Sequence, residues 1–210
     1  TVSFPEESLF FAIQSSKADG HAYINDLYNK KVRNFVINKY DSAYDNLKEA
    51  NFIIVENTMQ ALQKLAEHKR NECKIPIIGI TGSNGKTIVK EWIYQLLHTE
   101  YLITRSPRSF NSQIGVPLSV YLLNKDTELG IFEAGISQKE EMSSLAPIIN
   151  ANIGILTNIG EAHQENFSSL EEKCLEKIRL FKNAEIIIYS KDDKLIDSCI
   201  KKEYASKKTL

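Results

Sequence analysis

The chain has 210 residues, is 42% hydrophobic and 25% charged, and carries a formal net charge of −1. That length can bury a sizeable core as one large domain or two smaller ones, and the near-neutral balance gives no sign of a dedicated nucleic-acid or membrane-binding surface. No apolar run approaches the length of a membrane span, and the first residues lack the charged and apolar regions of a signal peptide. Cys73, Cys174 and Cys199 are odd in number and have no metal-ligand spacing, so they read as reduced thiols of a cytoplasmic protein. In chain order, short strands are expected over 9–13, 34–38 and 52–55, with helical segments near 22–31 and 43–50. A longer helix follows over 58–70, where Met59, Leu62, Leu65 and Ala66 recur at helical spacing. Polar Asn71-Glu72 ends it, and the domain boundary is placed there, giving domains 1–72 and 73–210. The second half repeats the alternation more strongly, with strands expected over 75–80, 101–104, 130–134, 152–157 and 185–189 and helical patterns between most of them. Near-continuous apolar strands joined by helices imply a parallel sheet covered on both faces. The expected fold is therefore α/β: a small α/β domain, then a parallel-sheet domain. The basic tail over 201–208 reads as a solvated end.

The most informative stretch is Thr81-Gly82-Ser83-Asn84-Gly85-Lys86-Thr87, preceded by an apolar run and followed by a helical pattern over 88–98. Strand, glycine loop and helix in that order are what phosphate binding requires. The glycines let backbone N–H groups turn inward, and the helix N-terminus adds its positive dipole end. Lys86 can reach β- and γ-phosphates, and the Thr87 hydroxyl can ligate Mg²⁺. The common eight-residue spacing would place a glycine at position 80, where this chain has Ile80, so the loop is a compressed variant. A nucleoside triphosphate is the expected ligand.

In parallel sheets ligands sit at the carboxyl ends of the strands, and three segments there carry chemistry. Phe132-Glu133-Ala134-Gly135 puts a carboxylate among apolar residues; it reads either as a Mg²⁺ ligand or as an acid paired with a nearby lysine. Thr157-Asn158-Ile159-Gly160-Glu161-Ala162-His163 places His163 in a polar loop, either as a ligand or as a surface residue. Ser168 and Ser169, with Glu171 and Glu172 three positions on, form overlapping capping boxes for a helix running to about Phe181. On that helix Leu170, Cys174, Ile178 and Phe181 share one face; Lys177 projects into the same sector, Lys173 lies toward its edge and Arg179 opposite. A lysine on a buried stripe must snorkel, pair or be chemically changed. Three readings of Lys177 therefore stand, while Lys173 is expected to be ordinary.

Together these residues resemble the Mur ligase family, ATP-dependent enzymes that add amino acids to the peptidoglycan precursor. The loop T-G-S-N-G-K-T resembles its shortened phosphate loop, Glu133-Ala134-Gly135 its metal-binding E-x-G, and Thr157 through His163 its T-N-[IV]-x-x-[AD]-H. Phe167-Ser168-Ser169-Leu170 with Lys177 and Phe181 resembles the segment bearing its carbamylated lysine. Ser109 to Pro117 resembles a substrate-side motif in which an asparagine, here Asn111, precedes I-G-x-P. Leu9-Phe10-Phe11-Ala12-Ile13 followed by Asp19-Gly20-His21 is similar to the uridine-diphosphate-binding domain of the diamino-acid-adding and dipeptide-adding branches, and the spacing through Ile114-Gly115-Val116-Pro117 is closest to the dipeptide-adding branch, including forms fused to an alanine racemase.

The resemblance implies a ligase with ATP and Mg²⁺ as cofactors and a UDP-linked muramoyl peptide and D-alanyl-D-alanine as substrates, with no nucleic-acid partner and no membrane insertion. It assigns Gly82, Ser83, Asn84, Gly85, Lys86, Thr87 and Asn111 to cofactor binding. Thr87, Glu133, His163 and Lys177 as its carbamate go to metal, and Lys86, Lys177 and His163 to catalysis. The diamino-acid-adding ligase, a folylpolyglutamate-synthase-like ligase and a non-catalytic nucleotide-binding module are the alternatives. The pattern is departed from at Ser112, where a second asparagine is frequent, and at Arg179, where a glutamate is frequent; Tyr189 to Asp193 matches the adenine-side element only loosely. The chain starts at Thr1, after the place where the family's uracil-site element would stand, and ends before a third domain. It therefore reads as an N-terminal piece, expected to be inactive as a ligase alone.

Overall fold

The computed structural model describes residues 3–15, 18–161 and 164–210. Two compact units are present, Thr1–Leu62 and Gln63–Leu210. The first holds β1 (Leu9–Phe11), α1 (Ile24–Asn29), β2 (Asn34–Ile37) and β3 (Asn51–Ile54), and the division from the second falls inside α2 (Thr58–Glu72). The three strands form a parallel sheet in chain order, in register Phe10↔Phe35↔Phe52. Phe35 is fully buried and stacks on Phe52, which stacks in turn on Tyr44; these rings, with Ala12, Ile24, Val32 and Ile37, make the small core. The helix expected over 43–50 is only a 3₁₀ turn, Ser42–Asn46. Asp41 caps it through Ala43 N, and the left-handed Glu49 (φ 63°) ends any helical continuation.

The second unit contains β4 (Ile77–Thr81), α3 (Lys86–Leu97), β5 (Ile103–Arg105), α4 (Gly115–Val120), β6 (Leu129–Glu133), α5 (Glu141–Ile149), β7 (Ile153–Leu156), α6 (Leu170–Ile178), β8 (Ile186–Ile188), α7 (Lys194–Tyr204) and β9 (Lys208–Thr209). All six strands are parallel in the order β5-β6-β4-β7-β8-β9. Side chains alternate across the sheet. Ile78, Ile80, Leu129 and Ile131 pack with Val89, Ile93 and Leu97 of α3, whereas Ile77, Phe132 and Leu156 pack with α4 to α7. Covered on both faces, the strands need apolar residues at nearly every position, which is why their runs are continuous. β4 begins at Ile77 because Pro76 has no N–H to give to a ladder.

The basic tail is largely exposed, as expected of a solvated end, but it is regular secondary structure. It completes α7 and forms β9, where Leu210 N donates to Ile187 O and Lys207 Nζ to the carbonyls of Lys182 and Ala184. Among the described residues no helix is long and apolar enough to cross a membrane. For function, the consequential feature is strand order. The chain leaves β4 toward β5 and β6 on one side and then crosses to β7 on the other. The carboxyl ends of β6, β4 and β7 thus lie side by side at the switch point.

Candidate functional site

The loop between β4 and α3 needs its two glycines for different reasons. Gly82 has φ +140°, and a Cβ there would come within 2.0 Å of Thr157 Oγ1. Gly85 has φ +80° and open space around it; it is the left-handed N-cap of α3. The segment after β7 clamps the loop from the side. Ser83 N donates to Asn158 O and Asn84 N to Asn158 Oδ1, both at 2.9 Å, and Gly160 N donates to Ser83 Oγ at 2.9 Å. Thr157 Oγ1 donates to Asn84 O at 2.6 Å. Lys86 is half-buried and folds back over the loop, its Nζ donating to Gly82 O at 2.8 Å and Ser83 O at 3.3 Å. Burial lowers its pKa and the Glu133 carboxylate opposes that shift. Backbone amides at a helix N-terminus beside this ammonium are suited to a phosphate chain.

Thr87 is in the first turn of α3, and Glu133 ends β6, which pairs directly with β4. Glu133 is fully buried, and Thr87 Oγ1 donates to its Oε2 at 2.9 Å and Oε1 at 3.2 Å. Hydroxyl and carboxylate are the hard oxygen donors Mg²⁺ takes, so this pair fits that ion. The alternative reading of Glu133, an acid paired with a nearby lysine, is met by Lys90, whose Nζ is 3.2 Å from Oε1. Lys90, fully buried, was not singled out in the sequence; its position one turn after Lys86, beside the apolar Val89 and Ile93, was the available signal. Asn111 joins the same cluster, with Nδ2 3.5 Å from Glu133 Oε2 and its carbonyl accepting from Gly135 N at 2.7 Å. A Cβ on Gly135 would stand 3.0 Å from Asn111 Oδ1, which accounts for the glycine of E-x-G.

Helix α6 starts at an N-cap on Ser169, whose hydroxyl accepts from Glu172 N, while Glu172 Oε2 accepts from Ser168 N and Oγ. Of the two expected capping boxes the second forms in part, its carboxylate taking Ser168 rather than the Ser169 N–H, while Glu171 faces Lys202. Lys177 is 3% exposed, so its stem does not carry the ammonium to solvent. Its pKa falls to about 7, first through burial and then through repulsion from Lys86 and Lys173. Lys86, Lys173 and Lys177 thus crowd one region with positive charge. Lys173 corrects the sequence expectation: it is fully buried, and its Nζ donates to Gly160 O at 2.5 Å. The loop after β7 folds over the margin of the stripe, which a helical projection does not contain. Arg179 lies outside as expected, paired with Glu140 and Glu176. His163 lies outside the described residues.

A family model described as the Mur ligase middle domain matches residues 80–209. The UDP-N-acetylmuramoyl-tripeptide–D-alanyl-D-alanine ligase of Rickettsia prowazekii is 39% identical over 185 residues, covering 88% of this chain and 39% of that protein. Among solved structures, MurF from Acinetobacter baumannii covers the whole chain and 47% of its own at a TM-score of 0.87 and 19% identity, a likeness of fold. The MurF ligase of Thermotoga maritima in complex with ADP covers the whole chain and 49% of its own at a TM-score of 0.81 and 26% identity. The chain spans less than half the length of the curated relatives it matches. With the middle-domain model aligned across the glycine loop, Glu133 and α6, the chain belongs to the Mur ligase family.

Proposed function

We propose that the protein to which this chain belongs is the cytoplasmic, ATP-dependent ligase that joins D-alanyl-D-alanine to UDP-N-acetylmuramoyl-tripeptide, with residues 1–72 serving the UDP moiety and 73–210 the ATP. The observation that carries this reading is the cluster at the ends of β6, β4 and β7, where Thr87 meets Glu133 and Lys86 lies within electrostatic reach of Lys177. The 39% identity to a relative of that name favours the dipeptide as amino substrate.

A carboxylate is a poor electrophile. One oxygen of the tripeptide carboxylate attacks the γ-phosphorus, ADP leaves, and an acyl phosphate forms. The dipeptide amine then attacks the acyl carbon, inorganic phosphate leaves with the bonding pair, and the amine loses a proton. Phosphoryl transfer of this kind needs positioning and charge neutralisation more than covalent help. Residues 82–85 form the phosphate loop; with the Ser83 and Asn84 N–H groups given to Asn158, the amides at the start of α3 meet the phosphates, and Lys86 turns from its loop carbonyls to the β/γ-oxygens. Asn111, packed on Glu133-Ala134-Gly135, lines the nucleotide side. Thr87, Glu133 and His163 would hold Mg²⁺ and the Lys177 carbamate would orient a second Mg²⁺, which would together neutralise charge on the β/γ-phosphates.

The state of Lys177 supports carbamylation. Only a neutral amine attacks CO₂, and a pKa of about 7 leaves much of this one neutral near pH 7. The nitrogen bonds the carbon, a proton leaves, and a repelled cation becomes an anion among Lys86 and Lys173. The test is phosphate release by the full-length protein with UDP-N-acetylmuramoyl-tripeptide, ATP and Mg²⁺. Release that requires D-alanyl-D-alanine supports the reading; release driven by a free diamino acid, or none with either, overturns it.

A further inference from the structure

Lys90 is a fully buried lysine on α3 that the proposed chemistry does not use. A buried ammonium is costly unless each of its three N–H groups finds an acceptor. Here each does: Ser106 O at 2.7 Å, Arg108 O, and Glu133 Oε1 at 3.2 Å, with Glu91 Oε1 also 3.2 Å away. The stem belongs to α3, two acceptors to the segment following β5, and the third to the end of β6. One nitrogen therefore ties three elements that are distant in sequence.

The tied segment matters to the site. Arg108 is held left-handed (φ 48°), a conformation that costs a non-glycine residue about 1–2 kcal/mol, and its carbonyl is turned to Lys90. Ser106 Oγ accepts from Glu133 N at 3.2 Å. Three residues on, Ser109 Oγ sits 3.2 Å from Thr87 Oγ1, and Asn111 then reaches Glu133 Oε2. An apolar side chain would fill this volume with a smaller desolvation penalty; what the ammonium adds is direction. With Oε1 held by Lys90, Oε2 makes the shorter contact to Thr87, 2.9 Å against 3.2 Å for Oε1.

We propose that Lys90 is a positioning residue: it orients the Glu133 carboxylate and the 106–109 segment so that Thr87 and Glu133 Oε2 present one preformed divalent-cation site. The proposal rests on Glu133 and Thr87 being metal ligands, as read above. Partners that orient a ligand typically govern metal affinity by about 10–100-fold.

The experiment measures ADP affinity of the full-length protein by calorimetry, in Mg²⁺ and in chelator, for Lys90→Met, Glu133→Gln and the double variant. Lys90→Met is expected to lose about 10–100-fold of the Mg²⁺-dependent affinity while metal-free affinity stays at the wild-type value, because Lys86 and the loop amides are untouched. A residue that merely supports the fold would lower both together. The double variant should match Glu133→Gln alone, since Lys90 acts through that carboxylate. Wild-type Mg²⁺ dependence in Lys90→Met, beside a loss in Glu133→Gln, overturns the role of Lys90 and spares the metal site. Unchanged dependence in Glu133→Gln overturns both. Should Lys90→Met fail to fold, Lys90→Gln keeps donors for the two carbonyls without the charge and is expected to show the same loss; a wild-type response there refutes the proposal.

Discussion

Thr87 and Glu133 stand 46 positions apart in the chain, yet the hydroxyl of one donates to the carboxylate of the other at 2.9 Å. The meeting is a product of topology. β4 and β6 are neighbours in register Ile80↔Glu133, so the first turn of the helix that follows β4 rises beside the last residue of β6. A local glycine-loop signal and a lone acid become one site because the chain inserts β6 between β5 and β4.

Lys86→Ala is expected to remove ATP binding in the full-length protein and leave the fold intact. The side chain is only half-buried and its present partners are two carbonyls of its own loop, so little packing is lost. Calorimetry reads the outcome; undiminished nucleotide affinity would discard the phosphate-loop assignment.

The two loop glycines should respond differently to alanine. At Gly85 the new methyl meets open space and only the left-handed backbone is penalised, by about 1–2 kcal/mol. At Gly82 the methyl would collide with Thr157 Oγ1 and crowd Asn158 O, so the clamp between the loop and the β7 segment must open. Urea titration should find Gly82→Ala the more damaging, and nucleotide affinity should follow the same order. Equal effects would mean that the clamp does not hold the loop.

What was legible in the sequence was local or periodic. The glycine loop is a contiguous signal, the strands are continuous apolar runs, and the sector of Lys177 follows from helical spacing. Lys90 carried only the weak signal of its apolar neighbours, because a lysine in an amphipathic helix ordinarily reaches solvent and only tertiary structure supplies the carbonyls of Ser106 and Arg108. β9 was missed for a related reason. Lys208 and Thr209 carry no apolar pattern, and they become a strand through backbone pairing with Ile186 and Ile187. The shortened 43–50 segment failed because side-chain capping and a left-handed residue overrode propensity.

Lys173→Ala should not be silent. The side chain is fully buried, and its loss leaves the Gly160 carbonyl without this donor in the loop that clamps Ser83. Gly160 O keeps the Ser83 hydroxyl as a donor, so the expected cost is that of one lost charge-assisted hydrogen bond, about 1.5–3 kcal/mol. Stability equal to wild type in denaturant would show that the bond to Gly160 contributes nothing.

Lys177 carries the prediction with the sharpest pH signature. Its folded pKa, about 7, lies below the ordinary lysine value of 10.5, because burial and the nearby lysines disfavour the cation. The folded state therefore binds this proton less readily than the unfolded chain does. The group's contribution to stability is complete above the ordinary lysine range and is lost as pH falls toward and through about 7. In CO₂-free buffer, wild type should gain stability over Lys177→Met as pH is raised from about 7 toward 10, and the Met variant should be favoured at pH 6. Adding ¹³C-labelled CO₂ should then produce a carbamate resonance in the wild-type protein and none in Lys177→Met. Activity separates the same alternatives: Lys177→Ala should remove most turnover, with short carboxylic acids partly restoring it by occupying the vacated position. A snorkelling lysine predicts that Lys177→Met is harmless or stabilising at every pH and retains full turnover. Parallel pH–stability curves together with wild-type turnover in Lys177→Met would reduce this residue to packing and withdraw the carbamate from the mechanism.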